Sequence, residues 1–159
     1  MGIKAIIDKK IMALDVGTKT IGVALSDRSH LIATPYKLIA RGKWAADLEQ
    51  LRIIVTTEQI GTIILGLPKN MDGSEGPKCQ SVRQFARNLS IAPGFTEIPI
   101  HFWDERLSTA AVERDMIGRD ISRAKRAETV DMAAAAYILQ GVLDHLRFKA
   151  GDDKDSYPF

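Results

Sequence analysis

A change of hydrophobic period near residue 40 limits the fold more than any other feature of the chain. Before it, apolar side chains recur every second residue. Residues 10–15 (KIMALD) read as a short buried strand that ends in an acid, and Gly17-Thr18-Lys19 turns the chain. Ile21, Val23 and Leu25 then alternate with Gly22, Ala24 and Ser26, the pattern of a second strand. Asp27-Arg28-Ser29 is the next turn, and residues 31–34 form a third strand that Pro35 is expected to stop. After the change, Trp44, Leu48, Leu51 and Val55 fall at helical spacing. Residues 62–67 (TIILGL) are an apolar strand, residues 70–76 a turn-rich loop, and Cys79, Val82, Ala86 and Leu89 a second helical stripe. Residues 98–102 make another strand that delivers Asp104, Glu105 and Arg106 at its end. A short helix near 109–117 and a long one near 126–146 close the pattern.

Three antiparallel strands followed by helix, strand, helix, strand and helices predict an α/β fold. Its sheet is mixed and five-stranded, with the antiparallel meander first and helices on both faces. At 159 residues the chain is one domain, expected over 1–148, with a polar tail at 149–159. A domain of that length buries roughly 70% of the surface its unfolded chain exposes. It therefore needs neither a disulfide nor a structural metal. The single Cys79 and the lack of any CxxC exclude a cysteine-based zinc site. The longest apolar run, 132–139, is too short to span a bilayer, and the N-terminal MGIKAIIDKK has no secretory core, so a cytoplasmic setting and no membrane partner are expected.

Lys and Arg exceed Asp and Glu by only 22 to 20, which permits a polyanionic partner without requiring one. The local distribution is sharper. Between Arg106 and Arg126 stand six basic residues against three acids, and such a patch can follow a phosphate backbone. A solvated helix face with its connecting loop is the alternative.

Three acids stand where carboxylates are costly. Asp15 closes an apolar strand, beside a turn whose free amides, Thr18 hydroxyl and Lys19 ammonium suit a phosphate. The competing reading is an Asp that caps its own turn. Asp104 and Glu105 repeat the situation at a later strand end, on the rim where parallel strands present ligands. Adjacent side chains alternate, so one of the pair must leave the core face. Glu105 is the expected site residue, because its longer arm reaches further, while Asp104 can orient Arg106. Asp131 shares the apolar stripe of the last helix with Ala135, Ile138 and Val142 and so is expected to look inward; a helix-start role is its alternative.

Together the three would form an oxygen-rich cage suited to Mg²⁺ or Mn²⁺, holding ions that assist attack at phosphorus. Lys19 and Arg106 would hold flanking phosphates, and Arg123 and Arg126 would belong to the basic patch. His30, His101 and His145 have no ligand spacing, and Trp44 and Trp103 could stack on bases or simply pack. No P-loop or GxGxxG occurs.

The segments LDVGTKTIGVALSD, GLPKNMDGSEGP, DERLSTAAVE and SRAKRAETVDMAAAAYILQGVLD, in order from Met12 to His145, resemble the YqgF (RuvX) family. The resemblance implies an RNase H-like fold and makes Asp15, Glu105 and Asp131 the counterparts of the family's acidic active-site residues. Gly17, Thr18 and Lys19 match its first-strand motif. It implies a nuclease acting on nucleic acid, either in 5′-end maturation of pre-16S ribosomal RNA or on branched DNA as a Holliday-junction resolvase. A ribosomal particle is an implied partner, and a monomer or weak dimer is expected. Two other readings compete. DVGTKTIG also resembles the phosphate hairpin of actin-like kinases, but the chain holds no second such hairpin. A non-catalytic RNA- or ribosome-binding factor would have no need to gather acids near phosphates.

Overall fold

The computed structural model describes residues 9–107 and 123–149, with side chains in the last helix from Met132 to Phe148. The elements are β1 (Lys10–Val16), β2 (Thr20–Ser26), β3 (Ala33–Ala40), α1 (Trp44–Thr57), β4 (Ile60–Leu67), α2 (Pro77–Ser90), β5 (Ile100–Asp104) and α3 (Arg123–Lys149). A single 3-10 turn, Glu105–Leu107, follows β5. The expected short helix at 109–117 and the tail beyond 149 lie outside the described residues. Among those residues no helix is long and apolar enough to cross a membrane.

The strands form one sheet in the order β3-β2-β1-β4-β5. The first three are antiparallel, while β4 pairs parallel to both β1 and β5. The predicted mixed five-stranded sheet is what the chain builds. Strand alternation divides its core in two. Met12 and Leu14 of β1 face α1 and α2, with Ile63 and Leu65 of β4 beside them. Ile11 and Ala13 face α3, with Ile64, Ala135, Ile138 and Val142. Both faces of β1 are covered, so β1 reads as a continuous apolar run and not as an alternation. Each fully buried Leu or Ile here contributes about 1.5–3 kcal/mol.

Two strands, β3 and β5, are displaced from the sequence expectation. β3 starts at Ala33 and runs through Pro35 to Ala40. Proline is tolerated because β3 is an edge strand and Pro35 sits at a register shift against β2. Leu31 and Ile32 instead belong to a connection in which Asp27 Oδ1 accepts the amides of Leu31 (2.8 Å) and Ile32 (3.0 Å). These amides hold the Asp27 carboxyl below its ordinary pKa, against a smaller upward push from burial. The strand expected at 98–102 lies at Ile100–Asp104, so Asp104 is its last residue.

Candidate active site

Because β1, β4 and β5 run parallel, their C-terminal ends share one rim. β3 is antiparallel to β2 and therefore parallel to β1, so it ends on that rim too. Asp15 is the penultimate residue of β1, paired with Gly22 of β2. By alternation it continues the Ile11–Ala13 face, toward α3. The chain then reverses through Gly17, Thr18 and Lys19, closed by Gly17 N–H donating to the Thr20 carbonyl at 2.9 Å. A Cβ on Gly17 would stand 3.2 Å from that same oxygen, which is why the turn favours glycine.

Glu105 follows β5 directly, and its position depends on a residue in the neighbouring strand. Gly66 of β4 lies on the α3 face of the sheet. A Cβ there would come within 3.3 Å of Glu105 Cγ and Cδ and 2.6 Å of Ile138 Cδ1. The missing side chain makes the space that Glu105 and Ile138 occupy.

Asp104 takes the other role that the pair allowed. Its carboxylate accepts the Arg106 amide at 3.0 Å and the Arg106 guanidinium at 2.6 Å. Arg106 Nη1 in turn donates to the Met71 carbonyl at 3.2 Å and so ties the 70–76 loop to the end of β5. The Asp104 carboxyl is held below the ordinary aspartate range, mainly by hydrogen bonds from the Arg106 side chain. A lowered acid stabilises the fold above the ordinary aspartate value, and that contribution disappears as pH falls through the lowered value. Melting temperatures of wild type and Asp104→Asn should therefore differ at neutral pH and converge in acid below the ordinary aspartate range. Curves that stay parallel throughout would show that the pair adds no stability.

Asp15 and Glu105 line one cleft of about 740 Å³ together with Gly17, Thr18 and Lys19. Arg106 does not line it. Among the described residues no three His, Cys, Asp or Glu side chains stand close enough together to hold an ion. Two carboxylates on one cleft wall fit a hard divalent cation, which prefers oxygen donors. Asp131 lies on α3, four residues before Ala135 and seven before Ile138, both packed against the sheet. It is eight residues beyond Arg123, more than two turns, where the end effect of the helix dipole has decayed. The backbone of α3 also carries Arg123 and Arg126, and the side chains of all three lie outside the described residues.

Several lining residues were missing from the sequence expectation. Arg41 follows β3, donates from Nη1 to the Gly17 carbonyl at 2.6 Å and lies over the Phe85 ring at 5.6 Å. Reading Pro35 as the end of β3 concealed that this strand delivers Arg41 to the rim. Gly42, beside it, donates to the buried Asp47 carboxylate at 3.0 Å. Lys78 and Ser81 enter from α2. Gly66 did leave a signal, an isolated glycine inside an apolar strand, which marks a close approach. Trp103 is buried and packs edge-on to His145, so it is not open to a base. Trp44 packs edge-on to Phe85. Burial lowers the pKa of half-buried His101.

A family model described as "RuvX: Holliday junction resolvase" matches residues 9–145. The chain belongs to the RuvX family. A protein of Roseobacter denitrificans named "Putative pre-16S rRNA nuclease" is 52% identical over 148 residues, 92% of this chain and 90% of the relative. A relative of the same name from Ruegeria is 56% identical over 137 residues, covering 86% and 85% of the two chains. Among solved structures, Thermus thermophilus RuvC in complex with a Holliday junction substrate superposes with a TM-score of 0.58. It covers 87% of this chain and 96% of that one at 9% identity. At that identity the likeness establishes the fold, an RNase H fold of the RuvC type.

Proposed function

We propose that this family member is a metal-dependent endonuclease acting on pre-16S ribosomal RNA at its 5′ end. Asp15, Glu105 and Asp131 are its metal-holding acids, and Mg²⁺ or Mn²⁺ is the ion. The observation that carries the proposal is the meeting of Asp15 and Glu105 in one cleft, beside a turn built from Gly17, Thr18 and Lys19. Paired carboxylates offer the oxygen donors a hard divalent cation prefers, and a phosphate-suited turn beside them supplies the place for the substrate.

Asp15, Glu105 and Asp131 would hold the divalent ions, which would supply water activation and charge stabilisation for an in-line displacement. The protein positions the groups. Gly66 leaves the space for the Glu105 side chain. The Gly17–Thr20 bond fixes the turn, so that the Thr18 hydroxyl and the Lys19 ammonium are presented to non-bridging phosphate oxygens. Arg106 ties the 70–76 loop to the end of β5, and Arg123 and Arg126 would contribute contacts to the substrate backbone. The names of relatives above 50% identity, matched over most of both chains, support ribosomal RNA as the substrate. The description of the family model favours a second reading, a four-way DNA junction.

One incubation separates these readings. Purified protein with Mg²⁺ or Mn²⁺ is offered a pre-16S RNA fragment, free and within a precursor small-subunit particle, alongside a four-way DNA junction. Cutting of the RNA is expected. Cutting of the junction alone would transfer the proposal to DNA. Tight particle binding with no cutting in either ion would make the protein a binding factor.

A further inference from the structure

We propose that Arg41 and Lys78, with the Ser81 hydroxyl, form a second phosphate subsite in the same cleft. It would hold a backbone phosphate of the bound strand other than the one attacked. The proposal rests on the nuclease reading above and adds residues to it that the acidic motifs do not mark.

The cleft is two-sided. Asp15 and Glu105 reach it from the α3 face of the sheet, by strand alternation and by the contact with Gly66. The cations come from the other face. Phe85 of α2 belongs to the core layer against α1 and α2, and the Arg41 guanidinium lies over its ring. Lys78 and Ser81 stand seven and four residues before Phe85 on the same helix, a spacing that places all three on one side of α2. Each of the three polar residues lines the cleft.

The charge is not consumed within the described fold. Among the described residues Lys19, Arg41 and Lys78 form no ion pair, whereas Lys10, Arg52, Arg83, Arg106 and Arg147 each do. Arg41 spends one donor on the Gly17 carbonyl and its ring contact on Phe85, which fixes the guanidinium and leaves its remaining N–H groups for a ligand. Lys78 is also badly placed for helix stability. It sits in the first turn of α2, where no acid offsets it and the helix dipole disfavours a cation. A local rule broken at a cleft is where a functional demand is expected. An anion bound between Lys78 and Arg41 would reverse the penalty. Cations on the opposite wall from the acids can attract one phosphate without neutralising the metal-holding carboxylates.

Binding and its salt dependence test this directly. A dye-labelled single-stranded RNA and a DNA of the same sequence are titrated in Ca²⁺, with anisotropy read across a salt series. The proteins are wild type, Lys78→Ala and Arg41→Gln. Each variant should bind both strands several-fold more weakly and lower the slope of log K against log salt by about 0.7, one single-strand phosphate contact. Lys78→Ala should keep the wild-type melting temperature or exceed it. Unchanged slopes in both variants would overturn the subsite while leaving the nuclease reading intact. A loss confined to Arg41→Gln would overturn it as well, because Arg41 also holds the Gly17 turn. A loss on RNA alone would point to sugar contacts in place of phosphate. Failure of wild type to bind either strand, together with no cutting of any substrate, would overturn the nuclease reading itself.

Discussion

Asp15→Asn should yield a folded protein that cuts at least about a hundredfold more slowly than wild type. Asparagine keeps the shape of the side chain and removes its charge. The loss corresponds to roughly 2.7 kcal/mol of transition-state stabilisation, at 1.36 kcal/mol for each factor of ten. Folding should survive, because Asp15 stands partly exposed on the rim, one residue from the end of its strand, and is absent from the buried core. Removing one of several neighbouring negative charges can raise the melting temperature of the metal-free protein. Ca²⁺ should support binding and little cutting for wild type and variant alike, since its longer and looser coordination misplaces the attacking water. Rate and melting temperature are measured together in Mg²⁺, Mn²⁺ and Ca²⁺. An Asp15→Asn protein that folds and cuts at the wild-type rate would remove Asp15 from the ligand set.

The second large effect is expected at a residue with no side chain. Gly66→Ala introduces a Cβ 2.6 Å from Ile138 Cδ1 and 3.3 Å from Glu105 Cγ and Cδ. Ile138 is fully buried, so its methyl has no open space to enter. Overpacking of this kind costs about 1–3 kcal/mol, and a chain of this length loses roughly 2–4 °C of Tm per kcal/mol. Activity should fall further than stability implies, because the methyl also displaces Glu105. Adding Ile138→Val removes the Cδ1 atom and separates the two effects. The double variant should regain much of the lost Tm and little of the lost rate. If rate and Tm recover together, Glu105 is not positioned by Gly66. If neither changes in Gly66→Ala, the strand end yields easily and the space is not specific.

Much of this was legible in the sequence where one local rule decides. The alternation of Ile21, Val23 and Leu25 gave β2, and the Cys79, Val82, Ala86 and Leu89 spacing gave the buried face of α2. Alternation showed that Asp104 and Glu105 must point to different sides, and Asp104 is the one that pairs with Arg106. What was hidden depends on distant contacts. Pro35 forbids a central strand but not an edge, and nothing local reveals that β3 is an edge. Asp47 interrupts the apolar stripe of α1 yet is buried, since its carboxylate accepts the Gly42 amide before the helix. Arg41 acquires its role only once the β1–β2 turn lies beside it, and Gly66 acts through what it lacks.

The division of the sheet into two faces also orders the folding of the chain. The meander β1-β2-β3 closes through short connections, so its pairings form early and at little entropic cost. The bond between β1 and β4 spans some fifty residues of sequence, from Met12 to Ile63. The far face of the meander waits longer still. Gln140 of α3 reaches back to accept the Ala33 amide at 2.9 Å and to donate to the Leu31 carbonyl at 3.1 Å, across more than a hundred residues. Until α3 docks, Ile11, Ala13 and Ile64 stay wet. Among the described elements α3 comes last in the chain, so the strand that carries Asp15 is made well before the helix that covers its inner face.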